Sequence, residues 1–183
     1  PRLLNGDYWL EKRMTLLAEQ WRAGEKLGSW FVLNEVAVSR GQIIRPIRLI
    51  TSVDGRYLTT YVADALLAST PTGSTAYSLS AGGPIIFPEQ EAMIINPLCP
   101  HTLTNRPVIL PAGAVVQVIL WTKEAGATLT LDGVETTFGI DILGVDRESR
   151  EIRIGQGLAG LAPELVVLVL RGVAPRVGRA HDA

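Results

Sequence analysis

The sequence has one cysteine, no block of basic residues and no long hydrophobic run. Cys99 alone cannot form an internal disulfide, and no signal peptide opens the chain, so the reducing cytoplasm is the predicted location. A formal net charge of -1 without clustered Lys or Arg argues against a nucleic-acid partner. The longest apolar run, 161–170, contains Pro163 and Glu164 and is too short to cross a bilayer, so no membrane role is expected.

Several patterns that bind cofactors or metals are also missing. No P-loop sequence, Gly-x-x-x-x-Gly-Lys-Ser/Thr, occurs, which excludes one of the commonest phosphate-binding loops. Cys99, His101 and His181 lack metal-ligand spacing, so no metal site is predicted. Pro100 holds its neighbours in an extended dipeptide, which argues against a Cys/His nucleophile pair.

The composition is that of an ordinary globular domain. Of the 183 residues, 47% are hydrophobic and 19% are charged, which is enough to bury one sizeable core or two small ones. The chain begins at Pro1 rather than Met, and we expect it to be a piece of a longer protein.

Helical spacing of apolar residues marks the first part of the chain. One helical face would carry Leu10, Met14, Leu17, Ala18 and Trp21, with charged residues elsewhere. This spacing predicts an amphipathic helix over 8–22.

From about residue 30 the sequence shows short strands separated by turn residues. Trp30 to Val38 predict one strand with Asn34-Glu35 set into it, and Asp54-Gly55 predicts a hairpin between strands at 43–53 and 56–63. Further strands are expected at 85–87, 92–96, 108–110, 115–121, 128–131, 134–138, 140–145 and 151–154, with a last strand or short helix at 165–170. This spacing predicts a mainly β (α+β) fold, an antiparallel β-sandwich, within one domain over 1–175 that is followed by a flexible tail, 176–183.

The segment 70–84 combines hydroxyl side chains, glycines and a short helical window. Pro71 and Gly73 predict a tight turn, and Thr72 or Ser74 would cap a helix of about two turns. The free N–H groups at such a helix start suit a phosphate or ribose hydroxyls. A purely structural role as turn and capping residues is the alternative.

Two polar positions interrupt apolar strands. Asp64 lies in the run 61–68, where a carboxylate needs a partner. A ribose diol or the N–H groups of a bent strand would each serve, and the sequence leaves both open. Asn34-Glu35 offers an amide for a purine edge and a carboxylate for a ribose, or else a strand end folded onto its own backbone.

The segments 64–84 and 97–107 resemble the NAD kinase family. The resemblance rests on Thr-Pro-Thr-Gly-Ser-Thr-Ala-Tyr followed by Ser-x-Gly-Gly-Pro, then on Pro-His-Thr-Leu and Arg-Pro, with Asn34-Glu35 and Asp132-Gly133 in support. It extends from about Tyr8 to Ile154. It implies a phosphotransferase that moves a phosphoryl group from ATP or polyphosphate, with Mg²⁺, to the 2′-hydroxyl of the adenosine ribose of NAD, giving NADP.

The resemblance also implies which half of such an enzyme this is. Family members have an N-terminal α/β domain, whose Gly-Gly-Asp-Gly motif holds the catalytic aspartate, and a C-terminal β-sandwich that binds NAD. No Gly-Gly-Asp-Gly tetrad occurs in the 183 residues. We therefore expect the NAD-binding C-terminal domain, inactive alone, without its kinase domain, and with no catalytic or metal-binding residue of its own. A non-catalytic nucleotide-binding or assembly module and, further off, a lipid-kinase relative are the alternatives.

The resemblance assigns expected roles to individual residues. Asn34 would contact adenine with Glu35 beside it, and Asp64 would hold ribose hydroxyls or the nicotinamide end. The full set of implied nucleotide-binding residues is Asn34, Glu35, Asp64, Thr72, Gly73, Ser74, Thr75, Ala76, Tyr77, Ser80 and His101. His101 would approach the nucleotide of a neighbouring subunit, so a homo-oligomer is expected. With no Lys or Arg near the segment 70–84, we interpret that segment as an adenine and ribose pocket.

Overall fold

Antiparallel strands in two sheets make up most of the computed structural model, which describes residues 4, 11–22, 24–40, 45–121, 127–135 and 166–173. The first sheet has the order β2-β1-β12-β9-β4-β5 and the second β11-β10-β3-β6-β7-β8. The strands are β1 Thr15–Arg22, β2 Glu25–Val32, β3 Glu35–Ser39, β4 Ile47–Val53, β5 Arg56–Ala63, β6 Ala65–Ser69, β7 Ala92–Leu98, β8 Val108–Pro111, β9 Val115–Trp121, β10 Thr128–Leu131, β11 Val134–Glu135 and β12 Val166–Val173. This architecture confirms the predicted antiparallel β-sandwich.

The core lies between the two sheets. Leu16 and Leu49 from the first sheet and Leu66 and Met93 from the second are almost fully buried in one cluster. Each such side chain contributes roughly 1.5–3 kcal/mol when it leaves water. Alternate residues of every core strand face this layer, as expected for two stacked sheets.

The predicted helix over 8–22 is wrong where the structure describes it, because Thr15–Arg22 form strand β1. Burial has a period of two, with Leu16, Ala18 and Gln20 inside. β1 pairs with β2 on one side and β12 on the other, so main-chain pairing with distant segments overrides the helical spacing. Positions 8–10 lie outside the described residues.

The single strand predicted from Trp30 to Val38 is also wrong. It is divided between β2 in the first sheet and β3 in the second, and Leu33 and Asn34 form the bend between them. The sandwich therefore begins at β1 rather than near residue 30. The residues 85–87, predicted as a strand, have no regular structure.

Both Asp-Gly pairs form hairpin turns. Asp54 and Gly55, between β4 and β5, have φ angles of 50° and 75°, and Asp132 and Gly133, between β10 and β11, have 47° and 77°. A two-residue hairpin turn with positive φ at both positions favours this pair of residues, so the prediction at residues 54–55 is confirmed.

The later predictions have mixed outcomes. The strands at 92–96, 108–110, 115–121 and 128–131 are confirmed. Of the segment predicted at 165–170, residues 166–170 belong to strand β12 and position 165 lies outside the described residues. Of 134–138 the structure describes only β11, and 140–145, 151–154 and the tail 176–183 lie outside the described residues.

The helices that the structure describes between positions 70 and 84 are short. A 3₁₀ helix, Thr72–Thr75, is followed by one α-helical turn, α1 Tyr77–Ser80, which is shorter than the predicted two turns. Within the described ranges, no helix has the length and apolar character needed to cross a membrane.

Leu16→Ala and Leu17→Ala distinguish the strand from the helix. The strand buries Leu16 completely and leaves Leu17 half-buried, whereas the helical pattern would bury Leu17. We expect Leu16→Ala to lower the free energy of unfolding by about 2–5 kcal/mol. Leu17→Ala should cost about 1 kcal/mol. Urea denaturation of the two variants measures both values, and the reverse order would argue for the helix.

Candidate functional site

The bend between the two sheets meets the segment rich in hydroxyl side chains. We call Leu33–Glu35 the Asn34 turn and residues 70–80 the hydroxyl loop. The N–H of Thr70 donates to the carbonyl of Asn34 at 2.9 Å, and the Thr70 hydroxyl donates to the carbonyl of Leu33 at 2.6 Å. Thr70 is fully buried, so these bonds fasten the loop to the turn.

Gly73 allows the closest approach between the two segments. A Cβ atom at this position would lie 2.0 Å from the carbonyl oxygen of Asn34, which no side chain tolerates. The N–H of Gly73 donates to the Thr70 hydroxyl at 3.0 Å. The glycine is therefore required by main-chain packing against Asn34, whatever it does for a ligand.

Ser74 fastens the loop from inside. Its buried hydroxyl donates to the carbonyl of Pro71 at 2.6 Å and accepts the N–H of Ile86 at 3.0 Å. Neither Thr72 nor Ser74 caps a helix with its side chain, so that prediction is wrong. Instead, the Thr70 hydroxyl accepts a hydrogen bond from the N–H of Gly73. A ligand contact by Ser74 stays a prediction, because the contacts it makes are with the main chain.

α1 lies over the outer face of the second sheet. Asn96, on β7 and almost fully buried, donates through its side-chain amide to the carbonyl of Ser78 at 3.1 Å and to that of Ala81 at 3.4 Å. Its register partner is Leu67 on β6, which is also buried although it is not part of the layer between the sheets. Sequence reasoning missed Asn96, since nothing local connects it to residues 78–81.

Glu35 brings a carboxylate under the loop. Burial raises the pKa of Glu35, the hydrogen bond from the Tyr77 N–H lowers it, and the negative charge of Asp132 raises it, with a net increase. Oε2 of Glu35 and Oγ1 of Thr72 are buried without a hydrogen-bond partner among the described residues. Buried polar atoms are nearly always paired, so these two are available to a ligand.

The remaining residues of the hydroxyl loop form its outer surface. Thr75, Tyr77 and Ser80 are exposed, and Ala76 is half-buried. Tyr77 is 44% exposed and its N–H bonds to Glu35, so an accessible aromatic residue on which a planar base can stack adjoins the Asn34 turn.

Asp132 organises the Asn34 turn from the other side. Its carboxylate accepts hydrogen bonds from the N–H groups of Leu33, Asn34 and Glu35 at 2.8, 2.6 and 3.3 Å. The sequence signalled a turn at Asp132-Gly133 but not this contact, because the two segments are almost one hundred positions apart.

Two of the predicted site residues lie elsewhere. Asp64 and His101 sit beyond the opposite end of β6, where the N–H of His101 donates to the carbonyl of Val62 at 2.8 Å. With a rise of about 3.3 Å per residue, the length of β6 places Asp64 roughly 20 Å from Thr70. The structure therefore brings together nine of the eleven predicted residues, all but Asp64 and His101.

The side chain of Asp64 has a partner that is neither a ribose diol nor the N–H groups of a bent strand, the two alternatives that the sequence left open. Its carboxylate lies 3.2 Å from the guanidinium of Arg40, and both side chains are partly exposed. The N–H of Asp64 donates to the carbonyl of Leu98, and the Arg40 N–H donates to the carbonyl of Asp64. A partly exposed ion pair contributes little to stability, so Asp64 remains available to a ligand.

No group of three or more His, Cys, Asp or Glu side chains is placed to hold a metal ion within the described residues. The site is instead built from an amide, a carboxylate, hydroxyls and an aromatic ring, which suits a neutral polar or hydroxyl-bearing ligand.

The fold and the site define an antiparallel β-sandwich domain whose hydroxyl loop is fastened beside an Asn-Glu turn. The family described as the ATP-NAD kinase C-terminal domain matches residues 33–139. The chain belongs to this family, which confirms the resemblance seen in the sequence.

Curated relatives carry the name NAD kinase. That of Geotalea daltonii is 46% identical over 158 residues, covering 85% of this chain and 55% of the relative. That of Citrifermentans bemidjiense is 50% identical over 133 residues, covering 72% of this chain and 46% of the relative. The chain thus spans about half the length of the curated relatives it matches.

Two solved structures share the fold. Yeast NADH kinase complexed with NADH superposes with a TM-score of 0.72 at 24% identity, covering 94% of this chain and 44% of that one. An NAD kinase from Archaeoglobus fulgidus in complex with ATP superposes with a TM-score of 0.58 at 20% identity, covering 89% of this chain and 53% of that one.

Ser74→Ala tests the role of the buried hydroxyl. The variant leaves the N–H of Ile86 without its partner inside the protein, which should lower the free energy of unfolding by about 1–3 kcal/mol. Thr75→Ala is the matched control, since it removes an exposed hydroxyl that makes only a 3.3 Å bond, and it should change stability by about 0.5 kcal/mol or less. Equal effects in denaturant titrations of both variants would show that Ser74 does not fasten the loop.

Proposed function

We propose that this chain is the NAD-binding half of an NAD kinase, which phosphorylates the 2′-hydroxyl of the adenosine ribose of NAD to give NADP. The observation that carries the proposal is that Oε2 of Glu35, in the Asn34 turn, and Oγ1 of Thr72, in the hydroxyl loop, are buried and unpaired among the described residues, and both positions lie within the region that matches the family. The names of the curated relatives support the same activity for the whole protein.

The chain's own residues bind and orient the acceptor. Glu35 offers an oxygen that accepts a hydrogen bond from a ribose hydroxyl, and Thr72 offers a hydroxyl that donates or accepts. Asn34 presents an amide for an adenine edge, and Tyr77 presents an exposed ring for stacking. Thr75, Ala76 and Ser80 complete the pocket surface.

Phosphoryl transfer itself is assigned to the other half of the parent enzyme. Transfer depends mostly on positioning and on charge stabilisation, and Mg²⁺ supplies the latter by neutralising phosphate oxygens. Within the described residues no group of three or more His, Cys, Asp or Glu side chains is placed to hold a metal ion, and we derive no step through Mg²⁺. The phosphoryl donor, ATP or polyphosphate, and the kinase domain that binds it are therefore partners of this half. A cytoplasmic location fits the single cysteine.

Calorimetric titration of NAD into the 183-residue chain tests the proposal. We expect saturable binding, with no NADP formed when ATP or polyphosphate and Mg²⁺ are added. Gly73→Ala should weaken NAD binding roughly tenfold or more, which corresponds to ~1.4 kcal/mol, because the new Cβ displaces the Asn34 turn. Gly113→Ala is the control, since nothing lies within 4 Å of its added Cβ. Absence of NAD binding would contradict the function, and robust NADP formation would contradict the division of labour.

The proposal includes a homo-oligomer. Within one copy, Asp64 and His101 lie at the opposite end of β6 from the hydroxyl loop that would hold the nucleotide, although the family motif includes both. Both residues would reach that nucleotide if a second copy placed the end of β6 that precedes Ala65, next to Asp64, against the first copy's hydroxyl loop. The Arg40 guanidinium beside Asp64 would then lie near the same ligand.

Mixing two defective variants tests this arrangement. In a site shared by two copies, Asn34→Ala removes a contact made by one copy and Asp64→Ala removes a contact made by the other. Each variant alone should therefore bind NAD weakly. When the two variants are unfolded and refolded together in equal amounts, about a quarter of the sites would combine an intact Asn34 from one copy with an intact Asp64 from the other. NAD titration measures the recovered fraction, and sedimentation confirms the assembly. No recovery in the mixture would place all contacts within one copy.

A further inference from the structure

We propose that Asp132 is a positioning residue whose carboxylate holds the Asn34 turn in the conformation that binds the nucleotide. The proposal rests on the function proposed above and adds to it a residue that contacts no substrate itself. The three hydrogen bonds from the N–H groups of Leu33, Asn34 and Glu35 carry the argument.

The Asn34 turn has few other partners for these N–H groups. The chain leaves the first sheet after Val32 and enters the second at Glu35, so Leu33 and Asn34 lie in neither strand. The bonds from Leu33 and Asn34 are exposed and that from Glu35 is partly buried, so water could take the first two N–H groups, but it would leave the turn free to adopt other conformations. Oδ2 of Asp132 accepts from Leu33, while Oδ1 accepts from Asn34 and Glu35.

An ionised carboxylate suits this position better than a neutral side chain. Hydrogen bonds to a charged acceptor are shorter and stronger than those between neutral groups, and a carboxylate accepts with both oxygens. The contact is also two-sided, since the N–H of Asp132 donates to the carbonyl of Glu35 at 3.0 Å. The turn between β10 and β11 is therefore docked on the Asn34 turn by main chain and side chain together.

Asp54 provides an internal comparison. It too precedes a glycine in a hairpin turn with positive φ, and its carboxylate accepts the N–H of Val115 at 2.8 Å. There the bonds join β9 to the turn between β4 and β5, and no predicted site residue is involved. The same local chemistry thus occurs at two places, and only at Asp132 does it hold residues of the candidate site.

The test compares Asp132→Asn with Asp54→Asn in the full 183-residue chain. Asparagine tolerates positive φ and keeps one acceptor oxygen, so each turn can still form while the charge and the second acceptor are lost. Three quantities are measured for each variant: the NAD dissociation constant by calorimetry, the amide hydrogen exchange of residues 33–35 by NMR without ligand, and the unfolding midpoint. For Asp132→Asn we expect roughly tenfold weaker NAD binding and roughly tenfold faster exchange at residues 33–35. Asp54→Asn should leave both within about twofold of the wild type.

An NMR titration of the Glu35 side-chain carboxyl measures its pKa, a quantity that a general loss of stability would not change. The described groups that act on this carboxyl are the Tyr77 N–H and the charge of Asp132, besides burial. Asp132→Asn should lower the pKa of Glu35, because a neighbouring negative charge is removed, and Asp54→Asn should leave that pKa unchanged.

Each outcome decides between distinct conclusions. Wild-type NAD affinity in Asp132→Asn overturns the proposal, and so does weaker binding with unchanged exchange at residues 33–35, which would assign Asp132 a direct contact with the nucleotide. If the unfolding midpoint of Asp132→Asn falls below the assay temperature, exchange and affinity are measured at a lower temperature at which both variants are folded. A wild-type chain that does not bind NAD overturns the proposed function and the binding part of this proposal. The exchange data then still decide whether Asp132 holds the turn.

Discussion

The candidate site depends on one buried contact, the packing of the hydroxyl loop against the Asn34 turn. The Thr70 hydroxyl both donates to the Leu33 carbonyl and accepts the Gly73 N–H, so one oxygen joins the two segments. A fully buried hydroxyl that loses either partner incurs the cost of an unpaired polar group. Because the Cβ of any larger residue at position 73 would overlap Asn34, the contact also fixes how closely the segments approach.

This contact explains why some polar atoms in the site remain unpaired. The hydroxyls of Thr70 and Ser74 and the N–H groups of Thr70, Gly73 and Ser74 all have partners inside the protein, which restrains the loop. Oε2 of Glu35, in the Asn34 turn, and Oγ1 of Thr72, in the hydroxyl loop, are buried and have no hydrogen-bond partner among the described residues. A rigid segment that carries a few unsatisfied polar groups is the arrangement expected of a binding site. Its conformation is already ordered before the ligand binds, so binding loses less conformational entropy.

The sequence predicted the features that depend on neighbouring residues. The hairpin at Asp54-Gly55 follows from two adjacent residues that tolerate positive φ, and the sandwich class follows from the density of short strands. The helix predicted over 8–22 failed because the apolar spacing of Thr15–Arg22 fits both periods, and pairing with β2 and β12 decided between them.

Contacts between distant segments could not be read from the sequence. The bonds from the Asn34 turn to Asp132 and the ion pair of Asp64 with Arg40 join residues that no local pattern relates. The family motif identified which residues matter, whereas only the structure separates those that face a ligand from those that, like Ser74, face the main chain.

The two groups of site residues occupy two of the places where the chain passes from the first sheet to the second. β2 passes into β3 at the Asn34 turn, and β5 passes into β6 at Asp64. A strand that changes sheets leaves main-chain groups without ladder partners, and polar side chains collect there to satisfy them. Because β3 and β6 are antiparallel neighbours, Glu35 pairs with Ser69 and Ser39 with Ala65, which puts the two passages at opposite ends of the pair. The topology that creates both polar clusters therefore also keeps them apart within one copy, and this separation is the reason that the proposed function includes a second copy.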